Sequence, residues 1–371
     1  MKKRVAAALL AVLFLLTVFP ANAQADSERF RSMEDLASYL FYDCAYMLAE
    51  EIEFGYMQSM DYVFADGFPW KMLYSCGMLD MDVHVDRTHR RVEITNIEYY
   101  PGFKAAQAWE LEAVGMLDAD ERTMLAHAEA MVEDACRYAQ SPYQVLVNLH
   151  DALAGRVTYT LGEDRADGWV LEDTAIGALV YGKAECDGYS DAFYLLCTLA
   201  GFPARMISGY ADNGTGEGYE SHMWNLIWWE NGWYHVDVTW DDPDWEKDAS
   251  LVKYAYLLMG SSLIGDHQWE ADHLVCQPQE YTDWNSYYYT CDNTGITYGA
   301  YYASLKEAAN YAAYMQRNYD REIIHVMVDG DYDQEYDVIH EALNDGGVRR
   351  RYVWTNKCAR GDYTCITLYI E

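Results

Sequence analysis

The sequence predicts an α+β protein in which one long helix packs on an antiparallel sheet, with a small α/β unit towards each end of the chain. Three observations carry that expectation. Apolar residues Tyr189, Phe193, Leu196, Cys197 and Ala200 recur at helical spacing behind Cys186, and Gly201 followed by Pro203 stops the run. Two strand-like segments follow, 221–229 and 233–240, joined by Glu230-Asn231-Gly232, a hairpin signal. A helix–strand–helix–hairpin order occurs once near each terminus.

Taken in chain order, Met1-Lys2-Lys3-Arg4 is a basic start, and positions 5–19 are apolar and of signal-peptide length. Ala21-Asn22-Ala23 is a small-residue cleavage site, with Ala23-Gln24-Ala25 as the alternative. The apolar run is shorter than the ~20 residues a membrane span needs. A signal peptide over 1–23 and a secreted mature chain without a membrane span are expected. Positions 26–115 read as the N-terminal unit, with a helix at 33–48, a strand at 51–57, a short helix at 70–76 and a hairpin at 80–85 and 90–99. Two helices follow between 117 and 153, the second capped by Ser141 with Pro142 at its first position. The core extends over 116–285. Positions 286–371 repeat the first unit: helix 305–315, strand 322–328, helix 334–343, hairpin 348–354 and 363–370. Ser32-Met-Glu-Asp and Ser304-Leu-Lys-Glu open the two copies alike.

With 26 Lys+Arg against 60 Asp+Glu, the chain carries a formal net charge of −34. Such a surface repels nucleic acid and anionic membranes. At 51% hydrophobic residues and only 7 prolines the chain is globular. The 9 cysteines are spread out rather than packed as a disulfide scaffold. Cys358 and Cys365 flank a hairpin tip and are the pair best placed to bond. The Arg360-Gly361-Asp362 tripeptide between them is ordinary turn chemistry. No CxxC, HExxH or spaced Cys/His set is present, so neither a metal nor another cofactor is expected. Positions 329–333 suggest a calcium loop, but Gln334 and His340 stand where a glycine and an acid would be required.

The chemistry concentrates between Gly182 and Asp242. Cys186 stands where a loop meets a helix N-terminus, whose unpaired N–H groups favour a thiolate. His222 opens the first strand of the hairpin, and Asp237 lies near the end of the second. A cysteine on a helix start with a histidine and an acid on neighbouring strands is a thiol-nucleophile constellation. Cys197 and His235 read as buried structural residues, and Asp241 and Asp242 as turn formers. Ser190 is a rival nucleophile, but Gly188-Tyr-Ser-Asp-Ala lacks the second glycine of a nucleophile elbow. Geometry constrains the hairpin. A tight turn on Asn231-Gly232 would leave His222 and Asp237 about 13 Å apart along the strands. Pairing centred between Glu230 and Asn231 makes them diagonal neighbours, so a loop longer than two residues, or a bulge, is expected.

The segments Gly-Lys-Ala-Glu-Cys186-Asp-Gly-Tyr-Ser, His222-Met-Trp-Asn and Trp-Tyr-His-Val-Asp237-Val-Thr-Trp-Asp-Asp-Pro243 resemble the three motifs of the bacterial transglutaminase-like superfamily. The likeness runs from Ser141 to about His273. It implies a papain-like fold, a Cys186-His222-Asp237 triad, and a thioester mechanism on peptide or glutamine amides. Water would then take the acyl group in a peptidase or amidase, and a lysine amine would take it in a cross-linking enzyme. Glu185 and Ile176 depart from the family pattern; the first would set a negative charge beside the thiol. A binding protein that keeps the fold without turnover is the alternative, with cell-surface contacts through the flanking units.

Overall fold

The computed structural model describes residues 29–65, 68–161, 170–212, 218–230, 232–242, 256–261, 264–274, 299–319, 323–330, 332, 336–348, 350–357 and 363–370. The expected signal segment, the glycine-rich positions 213–217, Pro243, Asp331 and Asp333 of the calcium-like stretch, and 358–362 with Cys358 and the Arg-Gly-Asp tripeptide lie outside these residues.

The chain enters through β1 (Arg29–Phe30) and α1 (Met33–Ser38), where the Ser32 hydroxyl accepts from the Asp35 N–H at 3.2 Å. The expected regular helix over 33–48 is instead α-helical only to Ser38. It then widens into π-helical turns over Tyr39–Ala45, which bury Leu40, Phe41, Cys44 and Ala45 together. Next come β2 (Ile52–Tyr56), α2 (Trp70–Ser75), and the hairpin of β3 (Met78–Asp86) and β4 (Arg91–Tyr99). The sheet order is β1-β2-β4-β3, with the first pair parallel and the others antiparallel.

Three helices lead to the core. The first, α3 (Pro101–Glu110), is additional to the two expected; Pro101 at its first turn was its sequence signal. In α4 (Ala119–Arg137), Asp118 and Glu121 form a reciprocal capping box. In α5 (Pro142–Ala154), Ser141 accepts from Gln144 N–H at 3.2 Å. Short strands β5 (Thr158–Tyr159) and β6 (Lys183–Ala184) pair just ahead of α6 (Cys186–Ala200).

Periodicity suggests that α6 has one apolar face, but every residue from Gly188 to Cys197 is buried. The reason is tertiary. α6 packs on α3, α4 and α5 as well as on the sheet strands β7 (Ala204–Asp212) and β8 (Tyr219–Trp229). Gly188 allows this closeness, since a β-carbon there would lie 2.4 Å from the Glu172 carbonyl oxygen. The antiparallel sheet is completed by β9 (Gly232–Val236), β10 (Leu257–Met259) and β11 (His267–Gln268), in the order β10-β9-β8-β7-β11. A short helix, α7 (Val238–Asp241), follows β9.

Beyond the core stand β12 (Gly299–Tyr302), α8 (Leu305–Tyr319), β13 (Ile323–Asp329), α9 (Tyr336–Asp345), β14 (Arg350–Lys357) and β15 (Tyr363–Ile370). Their sheet order, β12-β13-β15-β14, repeats that of the N-terminal sheet, parallel first pair included. The two units differ in how they are built in. The N-terminal unit shares one continuous apolar core with α3–α6 and the five-stranded sheet, from Met33 to Ile264. The C-terminal unit closes over its own core of Leu305, Ala308, Ala312, Val326, Ile339 and neighbours.

Candidate active site

β8 and β9 pair as Leu226↔His235, Trp228↔Trp233 and Trp229↔Gly232. The pairing is therefore centred between Glu230 and Asn231, as the diagonal geometry required. The connection is shorter than expected: two positions suffice, because Glu230 takes the left-handed conformation at φ +50°. His222 Nε2 consequently lies 2.7 Å from Asp237 Oδ2. Asp237 is not in the strand, which ends at Val236. It caps α7, where its Oδ1 accepts from the Trp240 N–H at 3.2 Å. That second bond fixes the carboxylate plane.

Cys186 is the first residue of α6 and is half-buried. α6 packs on β8, and the backbone of Met223, the residue after His222, is among the groups that bear on the Cys186 thiol. The expectation of a lowered thiol pKa is not met. Burial, and then the charge of Asp187, push the Cys186 thiol well above its ordinary value. The thiol donates to Asp187 Oδ1 at 3.3 Å, and Tyr100 donates to Asp187 Oδ2 at 2.8 Å. The acid that bears on the sulfur is thus the one after it, Asp187, rather than Glu185. Lys71 of α2 also reaches the site edge, donating to the Ser221 hydroxyl with its ammonium 4.6 Å from the Tyr210 ring centre. The N-terminal unit therefore supplies Lys71 and α3's lead-in supplies Tyr100, neither of which the local motifs reveal.

A second histidine, His267 of β11, completes the buried cluster. Its Nε2 lies 3.1 Å from Asp237 Oδ2 and its Nδ1 2.8 Å from Asp266 Oδ1. Gly209 clears the way. A β-carbon there would lie 2.6 Å from the Trp224 ring, which packs edge-on against His267 at 4.8 Å between centroids. Burial opposes charge on His267, but the carboxylates of Asp237 and Asp266 outweigh it and hold the imidazole above its ordinary pKa. Burial likewise opposes ionisation of Asp237, yet His222 and then His267 hold that carboxyl well below the usual range. Three ligand atoms, from His222, Asp237 and His267, lie within 4.8 Å of one another, but the two short contacts to a single oxygen are those of hydrogen bonds.

The remaining candidates have structural places. Cys197 is buried and its thiol is pushed up by burial alone. His235 is buried, accepts from Trp224 Nε1–H at 2.9 Å, and is pushed well down by burial. Ser190 lies inside α6, where its carbonyl accepts from Asn225. Asp241 and Asp242 are more than turn formers. Asp241 is buried against His150 Nε2 at 3.2 Å and accepts from Tyr256 N–H, and Asp242 accepts from the Tyr189 hydroxyl.

The profile of the transglutaminase-like superfamily matches residues 129–238. A 96-residue stretch is 36% identical to the kyphoscoliosis peptidase of Homo sapiens and 32% to that of Mus musculus. It covers 23% of this chain and 14% of each peptidase, so the chain spans only a small part of those relatives' length. Among solved structures, a TGase shares 12% identity over 51% of this chain and 50% of its own, at a TM-score of 0.29. The periplasmic domain of TgpA from Pseudomonas aeruginosa shares 20% identity over 40% of this chain and 55% of its own, at a TM-score of 0.25. The matched stretch contains Cys186, His222 and Asp237, and residues 129–238 form a domain of the transglutaminase-like superfamily.

Proposed function

We propose that the protein is a thiol-dependent acyl-transfer enzyme acting on peptide or glutamine amides, with Cys186 as nucleophile, His222 as base and Asp237 as the group that orients His222. The observation that carries this reading is the 2.7 Å contact between His222 Nε2 and Asp237 Oδ2, made where α6, with Cys186 as its first residue, packs on β8. The Asp237 contact occupies Nε2 of the imidazole and leaves Nδ1 to act on the thiol.

In the resting site the sulfur is protonated, because Asp187 and burial disfavour its anion. His222 therefore takes the thiol proton as sulfur attacks the carbonyl carbon, and the imidazolium returns that proton to the departing amine. Asp237, ionised and doubly hydrogen-bonded, stabilises the imidazolium while it exists. The resulting Cys186 thioester passes to water or to a primary amine. Incubation with a peptide library and a labelled primary amine, scoring cleavage and incorporation together, tests the reading. Products absent from a Cys186→Ala variant support it; identical products from wild type and variant refute it.

One observation favours a rival. A thiol engaged by a neighbouring carboxylate suits a fold retained for binding rather than turnover. On that reading the peptide library would show retained peptides and no acyl transfer.

A further inference from the structure

We propose that His267 is a positioning residue of the same site: it shares Asp237 Oδ2 with His222, fixing that carboxylate and moderating its pull on the catalytic imidazole. The inference rests on the reading of Cys186, His222 and Asp237 given above, and adds a member that no motif contains.

The geometry is specific. Both imidazoles approach one oxygen of one carboxylate, at 2.7 Å from His222 and 3.1 Å from His267. The other oxygen is committed to the Trp240 N–H, so the two rings compete for Oδ2. His267 is wholly enclosed, and its two nitrogens each meet a carboxylate oxygen, Asp237 on one side and Asp266 on the other. Only the imidazolium form donates to both. Asp266 is held in turn by the Tyr256 hydroxyl at 2.7 Å. The charged and titratable groups facing His267 are therefore Asp237, Asp266, His222, His235 and Tyr256, with Trp224 and Trp240 sealing the remaining faces. The ring centroids of His222 and His267 are 5.4 Å apart. A positive charge at that distance in a dry site opposes a second one on His222. His267 thus keeps Asp237 ionised and aimed while sharing with His222 the one oxygen that both rings contact.

Two measurements test this. In ¹⁵N-histidine NMR at neutral pH, the resonances absent from a His267→Gln variant should show both His267 nitrogens protonated. A neutral His267 would overturn the proposal whatever the enzyme does. The second measurement is the rate of Cys186 acylation by a p-nitrophenyl ester as a function of pH. His267→Gln keeps one N–H for Asp237 but removes the charge. The acid limb of the rate profile should then move up by about one pH unit, with the plateau rate changed less than tenfold. His267→Phe removes the donor as well, and the plateau should also fall more than tenfold. If His267→Gln does not fold, Asp266→Asn neutralises the same ring from its other side and should move the limb in the same direction. A folded variant with an unmoved acid limb overturns the proposal. Acylation of wild type that ignores His222→Ala refutes the site itself, and the proposal with it. Acylation that needs His222 but is indifferent to His267 refutes the proposal alone.

Discussion

Asp187 lies between the Cys186 thiol and the Tyr100 hydroxyl, and this one carboxylate decides how the sulfur can work. A helix N-terminus alone would favour thiolate. Here burial and Asp187 together favour the thiol. Asp187→Asn should therefore shift the pH profile of Cys186 alkylation by iodoacetamide downward by roughly 1–2 pH units, read by peptide mapping. Glu185→Val should move it less. If the two variants are reversed in effect, the acid beside the thiol has been misidentified. At Asp237 the isosteric Asn keeps the cap but loses the charge shared by two imidazoles. The variant should lose roughly 10³–10⁴-fold in turnover, as expected when an orienting acid no longer sets the imidazole tautomer. A loss under tenfold, in steady-state assays of a folded variant, would show that Asp237 is not the orienter.

At the scale of elements, α5, α7 and the segment entering β10 are tied together by a buried ion pair. His150 offers Nδ1 to Asp151 at 3.1 Å and Nε2 to Asp241 at 3.2 Å, and Asp241 also accepts from Tyr256 N–H. Burial opposes the imidazolium, but the two carboxylates overcome it and raise its pKa to about 9. A histidine raised in the folded state contributes stability in full below its unfolded pKa of about 6.5 and loses it as pH rises through the folded value. Urea unfolding should accordingly show stability falling between about pH 6.5 and 9, and His150→Gln should lack that component. Asp241→Ala leaves the imidazolium short of a partner and should cost about 3–5 kcal/mol.

These elements also show what was legible in the sequence. Cys186, His222 and Asp237 were readable because each sits in a local motif, and bringing His222 within reach of Asp237 required the Glu230/Asn231-centred register that β8 and β9 adopt. His267 was not, because its contact with Asp237 arises from β11 pairing at the far edge of the sheet; an Asp-His dipeptide is its only local mark. The state of the thiol was hidden for the same reason: Tyr100, which holds Asp187, is 87 residues away in sequence. Asp241 looked like turn chemistry because burial, which makes it an ion-pair member, is a property of the packed chain.

For the whole molecule, the two copies of the α/β unit have different standing. The N-terminal copy shares its core with the site and sends Lys71 to its edge, whereas the C-terminal copy has a separate core. A chain ending at residue 285 should keep its near-UV circular dichroism and its acyl-transfer activity. A chain lacking 26–115 should lose cooperative unfolding, since it removes Phe41, Phe54 and Met72 from the shared core. Cooperative, active protein after that second deletion would mean that the shared core is dispensable.

The central claim is that Cys186 forms a thioester with the help of His222 and Asp237. Intact-mass analysis after a brief pulse of p-nitrophenyl ester, with peptide mapping of the adduct, measures it most directly. One hydroxylamine-labile acyl group should appear on Cys186 in wild type, and should be strongly reduced in both His222→Ala and Asp237→Asn. An adduct on another residue, or equal acylation of Cys186 in all three proteins, would contradict it.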